Sequence, residues 1–182
     1  NIIFTISSFY KTTAKQRVCD QTIKEINLKN NDQIYLFSKA HHEIYIAAYK
    51  MFVDNKVCGI GVRNYRHICK NLKYYVNGKP RCFTHPHNTY MELLAETGVI
   101  GFSFIFLIFL ILIYYSFKHF LLKFKGKFIF NDVQIALLSS VLINLWPLIP
   151  TGSFFNNWLN CLYYFPLGIL LWSLLNKKIY RN

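Results

Sequence analysis

Acidic side chains are scarce in this 182-residue sequence: 8 Asp and Glu stand against 21 Lys and Arg, and beyond residue 98 the one carboxylate is Asp132. Charge of either sign is scarcer still toward the end. From Val133 to Asn176 no side chain is ionised over 44 residues, which argues against a soluble single domain. The excess of basic charge would ordinarily suggest a nucleic-acid partner. Beside 53% apolar content, it favours a membrane protein with basic aqueous segments instead. Familiar metal-ligand spacing is also lacking. His85 and His87 with His41 and His42 form no recognised set, so neither a metal nor a cofactor is expected. There is no internal repeat or low-complexity tract.

What is present divides the chain in two. Residues 1–98 carry 14 basic and 7 acidic side chains and read as mostly aqueous. Val99 to Phe117 is an uncharged run of 19 residues, and a helix of that length covers about 30 Å, the hydrocarbon thickness of a bilayer. The 44-residue uncharged stretch is twice what one span needs, and Pro147, Pro150 and Gly152 interrupt it. Two further spans joined by a tight turn are expected, giving about 99–117, 133–149 and 156–175. Trp146 and Trp158 flank the turn and Trp172 lies near the far end, as interfacial rings do. The Lys118–Asp132 connection holds four lysines and the tail 177–182 holds Lys177, Lys178 and Arg181, which places both in the cytoplasm. Residues 11–98 then lie outside it. Asn1 to Tyr10 is apolar but too short to span, and reads as the end of a membrane helix that begins upstream. The chain is thus expected to be part of a longer one. The fold class expected is an all-α integral membrane protein: an extracytoplasmic helical loop domain followed by three transmembrane helices.

Within the outer segment, Lys11 to Lys39 is mostly polar, with a short helix expected around Asp20–Ile26. His42, Tyr45, Ile46, Tyr49 and Phe52 recur at helical spacing, which predicts an amphipathic helix over 41–52 ending near Asp54 and Asn55. GIGVRNYR (59–66) follows, where two glycines permit a tight backbone and Arg63 and Arg66 stand three apart. In THPHNTYMELLAETGVIGF (84–102), Thr89 and Glu92 form a capping-box pattern, Tyr90 to Glu96 favours helix and Gly98 suits a stop. His87 would sit just before a helix N-terminus. The partial positive charge there favours a neutral imidazole and a nearby anion. Glu92 is read as a cap partner and Glu96 as a solvated position.

His87, Asn88, nine residues, then Gly98-Val-Ile-Gly101 resembles the signature of O-antigen ligases and related polysaccharide polymerases. AAYKMFVDNKVCGIGVRNYR (47–66) resembles the block that precedes it. The resemblance implies a multispan enzyme of the bacterial inner membrane with residues 11–98 on the periplasmic side. Such an enzyme takes a glycan from undecaprenyl pyrophosphate and joins it to an acceptor. The acceptor is lipid A-core for a ligase and another glycan repeat for a polymerase. By motif match His87 is the catalytic residue, with Asn88 beside it as a substrate-binding candidate. Pyrophosphate-binding arginines are implied in the outer loop: Arg63 and Arg66 first, Arg81 third, because the guanidinium fork bonds phosphate oxygens in pairs. Many family members carry an arginine shortly before the helix leading into the glycine block. This chain has His41 and His42 there, so His42 is the candidate replacement, and its donor binding would weaken as pH rises.

If the outer segment is periplasmic a disulfide can persist there, and Cys69 with Cys82 would enclose a short loop ahead of the histidines. Two unpaired thiols stay open at this point. The rival class is a non-catalytic membrane protein whose basic loop touches anionic headgroups of membrane lipids. A nucleic-acid partner is not expected, since it would need that loop in the cytoplasm.

Overall fold

The computed structural model describes residues 39–176. The expected helix near 20–26, the apolar 1–10 stretch and the basic tail 177–182 lie outside them. The residues from Glu43 onward belong to one compact unit, which holds the cores and the cleft described below. The described residues are helical and contain no strand, only one isolated bridge between Val76 and Lys79.

Helix α1, Lys39–Asp54, covers the predicted 41–52 and ends where expected. Its buried face differs, however. Ile44, Ala47, Ala48 and Met51 are sealed, whereas Tyr49 is exposed. The aromatic stripe lies beside the core-facing one because the small alanines allow close packing. Ile44, Ala48 and Met51 join Tyr65, Cys69, Tyr74 and Ala95 in the core of the outer segment. Short helix α2, Tyr65–Ile68, follows the glycine loop, and a single 3-10 turn, Leu72–Tyr74, follows α2. Cys69 and Cys82 form a disulfide across 13 positions. Closing a loop of that size stabilises by about 3 kcal/mol. The Tyr65 hydroxyl donates to the Arg81 carbonyl at 2.9 Å, a second tie beside the disulfide.

Helix α3, Thr89–Lys123, is broken at Gly98, whose φ of 65° and ψ of −160° are not helical. The glycine stop read from the sequence is therefore a kink: a short helix before it, and the long apolar helix after it. A break in a helix frees carbonyls on one side and amides on the other. Residues 56–61 supply the partners. Ile60 and Gly61 amides donate to the Ala95 and Glu96 carbonyls at 2.9 Å each, while the Val99 amide donates to the Lys56 carbonyl at 2.8 Å. Such an approach leaves no room for side chains. A Cβ on Gly98 would lie 2.3 Å from the Val57 carbonyl oxygen, and one on Gly59 2.4 Å from the Glu96 carbonyl carbon.

Helices α4, Asp132–Asn144, and α5, Asn157–Leu175, are the last of the described elements. Phe109, Val141 and Leu145 make one buried cluster with α5 residues Tyr164 and Leu167, and Phe130, Leu138 and Leu170 make another. Gln134 donates to the Ser173 hydroxyl at 3.2 Å between α4 and α5, a polar contact of the kind that joins helices in lipid. Among the described residues two helices, α3 and α5, are long and apolar enough to cross a membrane. α4 is shorter than the expected 133–149, because Pro147 has no amide to donate and disfavours helix at the residue before it. The link to α5 is accordingly not a tight turn but the irregular segment 145–156.

Candidate active-site cleft

The irregular segment 145–156 folds back onto the start of α3. The Tyr90 hydroxyl donates to the Leu145 carbonyl at 2.6 Å, the Asn88 amide to the Pro147 carbonyl at 2.7 Å, and the Thr151 amide to the His87 carbonyl at 3.0 Å. A cleft of about 530 Å³ opens between this segment and the glycine loop, lined by Arg63, Arg66, Thr84, His85, Ser153 and Phe155 among others. A second, apolar groove of about 900 Å³ runs along α3 from Leu93 to Leu110 and shares Phe155 with the cleft.

Arg63 and Arg66, paired by spacing alone in the sequence, do share one cleft, and both are exposed there. Arg63 has a left-handed backbone, φ 60°, uncommon for a residue with a side chain. Its amide donates to Glu96 Oε2 at 2.5 Å, the Tyr65 amide donates to Glu96 Oε1 at 3.0 Å, and its guanidinium donates to the Phe155 carbonyl. Arg81 is elsewhere. Its guanidinium pairs with the buried carboxylate of Glu43, which also accepts from the Asn77 amide at 2.9 Å, and Arg81 does not line the cleft. His42 lies in the first turn of α1.

His87 stands immediately before the α3 cap, as read, with a left-handed φ of 58°. Its ring packs 4.3 Å from that of His85 and 5.8 Å from that of Phe83, centre to centre. The cap itself is Asn88 and not Thr89. Asn88 Oδ1 accepts from the Tyr90 and Met91 amides at 3.1 Å each, a contribution of about 1 kcal/mol. With its amide on Pro147, Asn88 is 4% exposed and spends its side chain on the fold. Two of the amides expected to meet an anion at this helix start, those of Tyr90 and Met91, are thus already taken. Thr89 instead meets the Thr151 hydroxyl at 2.9 Å.

Three features escaped the sequence reading. Glu92 and Glu96 are each 1% exposed, so neither the cap role nor the solvated position holds. Segment 153–156 forms the far wall of the cleft, and its approach from 60 positions away has no local sequence signal. His85, set aside as a zinc candidate, is the imidazole that lines the cleft. Its Nδ1 lies 2.9 Å from the Thr84 hydroxyl. Burial first, then the Arg66 charge, holds its pKa below the ordinary 6.5, with a Thr151 backbone contact opposing.

A histidine whose pKa is lowered by folding binds fewer protons folded than unfolded. Its contribution to stability is intact above about 6.5 and fades as pH falls through the folded value. Thermal melts of the detergent-solubilised protein from pH 7.5 to 5 should show a smaller loss for His85→Asn than for wild type. Identical slopes would assign the acid sensitivity to other groups.

Residues 38–106 match the O-antigen ligase family model. No curated protein and no solved structure matches the chain. The segment that matches runs from the start of α1 into the apolar part of α3. It contains the glycine loop, the disulfide, both cleft arginines, His85, His87, the buried glutamates and the Gly98 break. It stops short of 145–156, so the far wall of the cleft is contributed by residues outside the match. The family resemblance read from the His87 signature is borne out over this segment. The match supports a glycosyltransferase of the O-antigen ligase and polymerase type, a membrane-embedded family acting on lipid-linked glycans.

Proposed function

We propose that this chain joins a glycan from undecaprenyl pyrophosphate to an acceptor sugar at the periplasmic face of the inner membrane, as an O-antigen ligase acting on lipid A-core. The observation that carries the reading is the meeting of Arg63 and Arg66 in one cleft beside the His85–His87 pair, next to an apolar groove on a helix fit to cross a membrane. The donor brings its own leaving group, so no nucleotide is required. The acceptor oxygen attacks the anomeric carbon, the bond from that carbon to the phosphate oxygen breaks, and its electron pair leaves with the lipid pyrophosphate. His87 takes the acceptor proton. Arg63 and Arg66 stabilise the pyrophosphate as charge develops on it. The lipid tail lies along the groove lined by Leu93, Phe102 and Leu110. In this reading α4 together with Leu145–Ile149 makes the third crossing.

The test uses the full-length gene product in its own cells. Wild type, a deletion and the double variant Arg63→Ala with Arg66→Ala are compared for their lipopolysaccharide ladder and lipid-linked glycan pool. Long lipid-linked chains accumulating beside unmodified core in both mutants is the ligase outcome. Single repeats on the core identify a polymerase. A normal ladder in the double variant removes the pyrophosphate role and favours the headgroup-binding alternative.

A further inference from the structure

Two carboxylates for which the transfer chemistry has no use are buried at the junction of the two cleft walls. Glu92 and Glu96 lie one helical turn apart in the first part of α3. Glu96 accepts the Arg63 and Tyr65 amides, one on each oxygen. Glu92 accepts the Ser153 hydroxyl at 2.6 Å on Oε1 and the Phe154 amide at 2.7 Å on Oε2. All four oxygens are occupied, two by each wall. The Arg63 guanidinium then bridges to the Phe155 carbonyl and ties one wall to the other.

This arrangement is costly if its only purpose is to close two loops. Burying a carboxylate carries a desolvation penalty, and two of them four positions apart on one helix repel each other. What a carboxylate does that a neutral amide cannot is accept hydrogen bonds on both oxygens, in a fixed fork. Glu96 uses that fork on the residues on either side of Asn64, which fixes the left-handed backbone of Arg63 and the direction of its side chain. Neither glutamate lines the cleft. Their negative charge is directed at N–H and O–H donors and is not presented to an anion.

We propose that Glu92 and Glu96 are a pair of positioning residues that set the separation of the Gly59–Arg66 loop from segment 153–156, and thereby the aim of Arg63 and Arg66 at the donor pyrophosphate. The proposal rests on the cleft being the donor site, so two independent readouts are needed.

The first readout is steady-state kinetics of the full-length enzyme in lipid nanodiscs, with an undecaprenyl-pyrophosphate glycan as donor. Losing one charge-assisted bond of this kind corresponds to about tenfold or more. Glu96→Gln should raise the donor KM about tenfold and leave the acceptor KM unchanged. Ser153→Ala removes one neutral donor from Glu92 and the long contact from the Phe155 amide at 3.3 Å, and should give about threefold in the same direction, which guards against a Glu variant that does not fold. The second readout is a spin-label distance between exposed Val62 and Asn157, free of any assumption about substrate. It should be a narrow distribution in wild type and a broad or shifted one in Glu96→Gln. Unchanged distances in both Glu96→Gln and Ser153→Ala overturn the proposal, as does an equal rise in both KM values. If Arg63→Ala with Arg66→Ala leaves donor KM unaltered while the distances still shift, the donor-site reading fails and the wall-spacing role stands.

Discussion

Gly98→Ala should lose nearly all transfer activity while the apolar helices remain folded. The backbone of Gly98 sits at φ 65°, ψ −160°, a region that residues with a Cβ occupy only at a cost of about 1–3 kcal/mol. The added methyl would also lie 2.3 Å from the Val57 carbonyl oxygen and 2.7 Å from the Gly59 amide nitrogen. These neighbours are backbone atoms and cannot rotate away. The alternative open to the alanine chain is to continue the helix through residue 98. The Ala95 carbonyl and Val99 amide would then pair within α3 and evict residues 56–61 from the break. With that loop go Arg63 and Arg66. The expected loss for the loop is at least about 3 kcal/mol, or more than a hundredfold in the opening equilibrium of the Ile60 and Gly61 amides. Hydrogen exchange on the full-length protein measures it directly. Gly59→Ala should behave alike, since its Cβ meets Glu96 from the other side. Retained protection of Ile60 and Gly61 in both variants would show that the break does not depend on glycine.

The same two glycines illustrate what was legible before any coordinates. The family signature pointed to Gly98 and the pattern GIGV to a tight loop, and both readings were right about backbone freedom. That the glycines exist for each other, one chain crossing the gap in the other, depends on a contact across about 40 positions. The histidine signature, the arginine pair and the extent of α1 were local patterns and were readable. Glu92 and Glu96 were misread for a physical reason. A glutamate in a helix is ordinarily solvated, and only the donors arriving from far along the chain, the Arg63, Tyr65 and Phe154 amides and the Ser153 hydroxyl, make its burial tolerable. The place of Arg81 away from the cleft was hidden in the same way: its partner Glu43 lies in α1, where nothing in the local pattern marks an acidic residue as buried. Helix α4 ends early at a local signal, Pro147, but that the freed carbonyls of Leu145 and Pro147 are taken by Tyr90 and Asn88, both distant in sequence, had no local mark.

His87→Ala is the other large effect. A positioned general base contributes about 10²–10⁴ in rate, and kcat should fall by that factor. The loss should be confined to kcat. The cap that starts α3 is Asn88, the Thr151 amide donates to the His87 backbone carbonyl, and in the proposed reading the pyrophosphate is held by Arg63 and Arg66. The donor KM should therefore change by less than about twofold. A base must be unprotonated to act, so wild-type kcat should drop on acidification with a slope of one, and the residual rate of His87→Ala should lack that limb. His85 provides the control. It lines the cleft and touches the His87 ring, so a substitution at 85 will disturb the base indirectly, lowering kcat while leaving the acid limb in place. Should the limb vanish in His85→Asn and persist in His87→Ala, the base is His85. The signature histidine would then act by supporting it from behind.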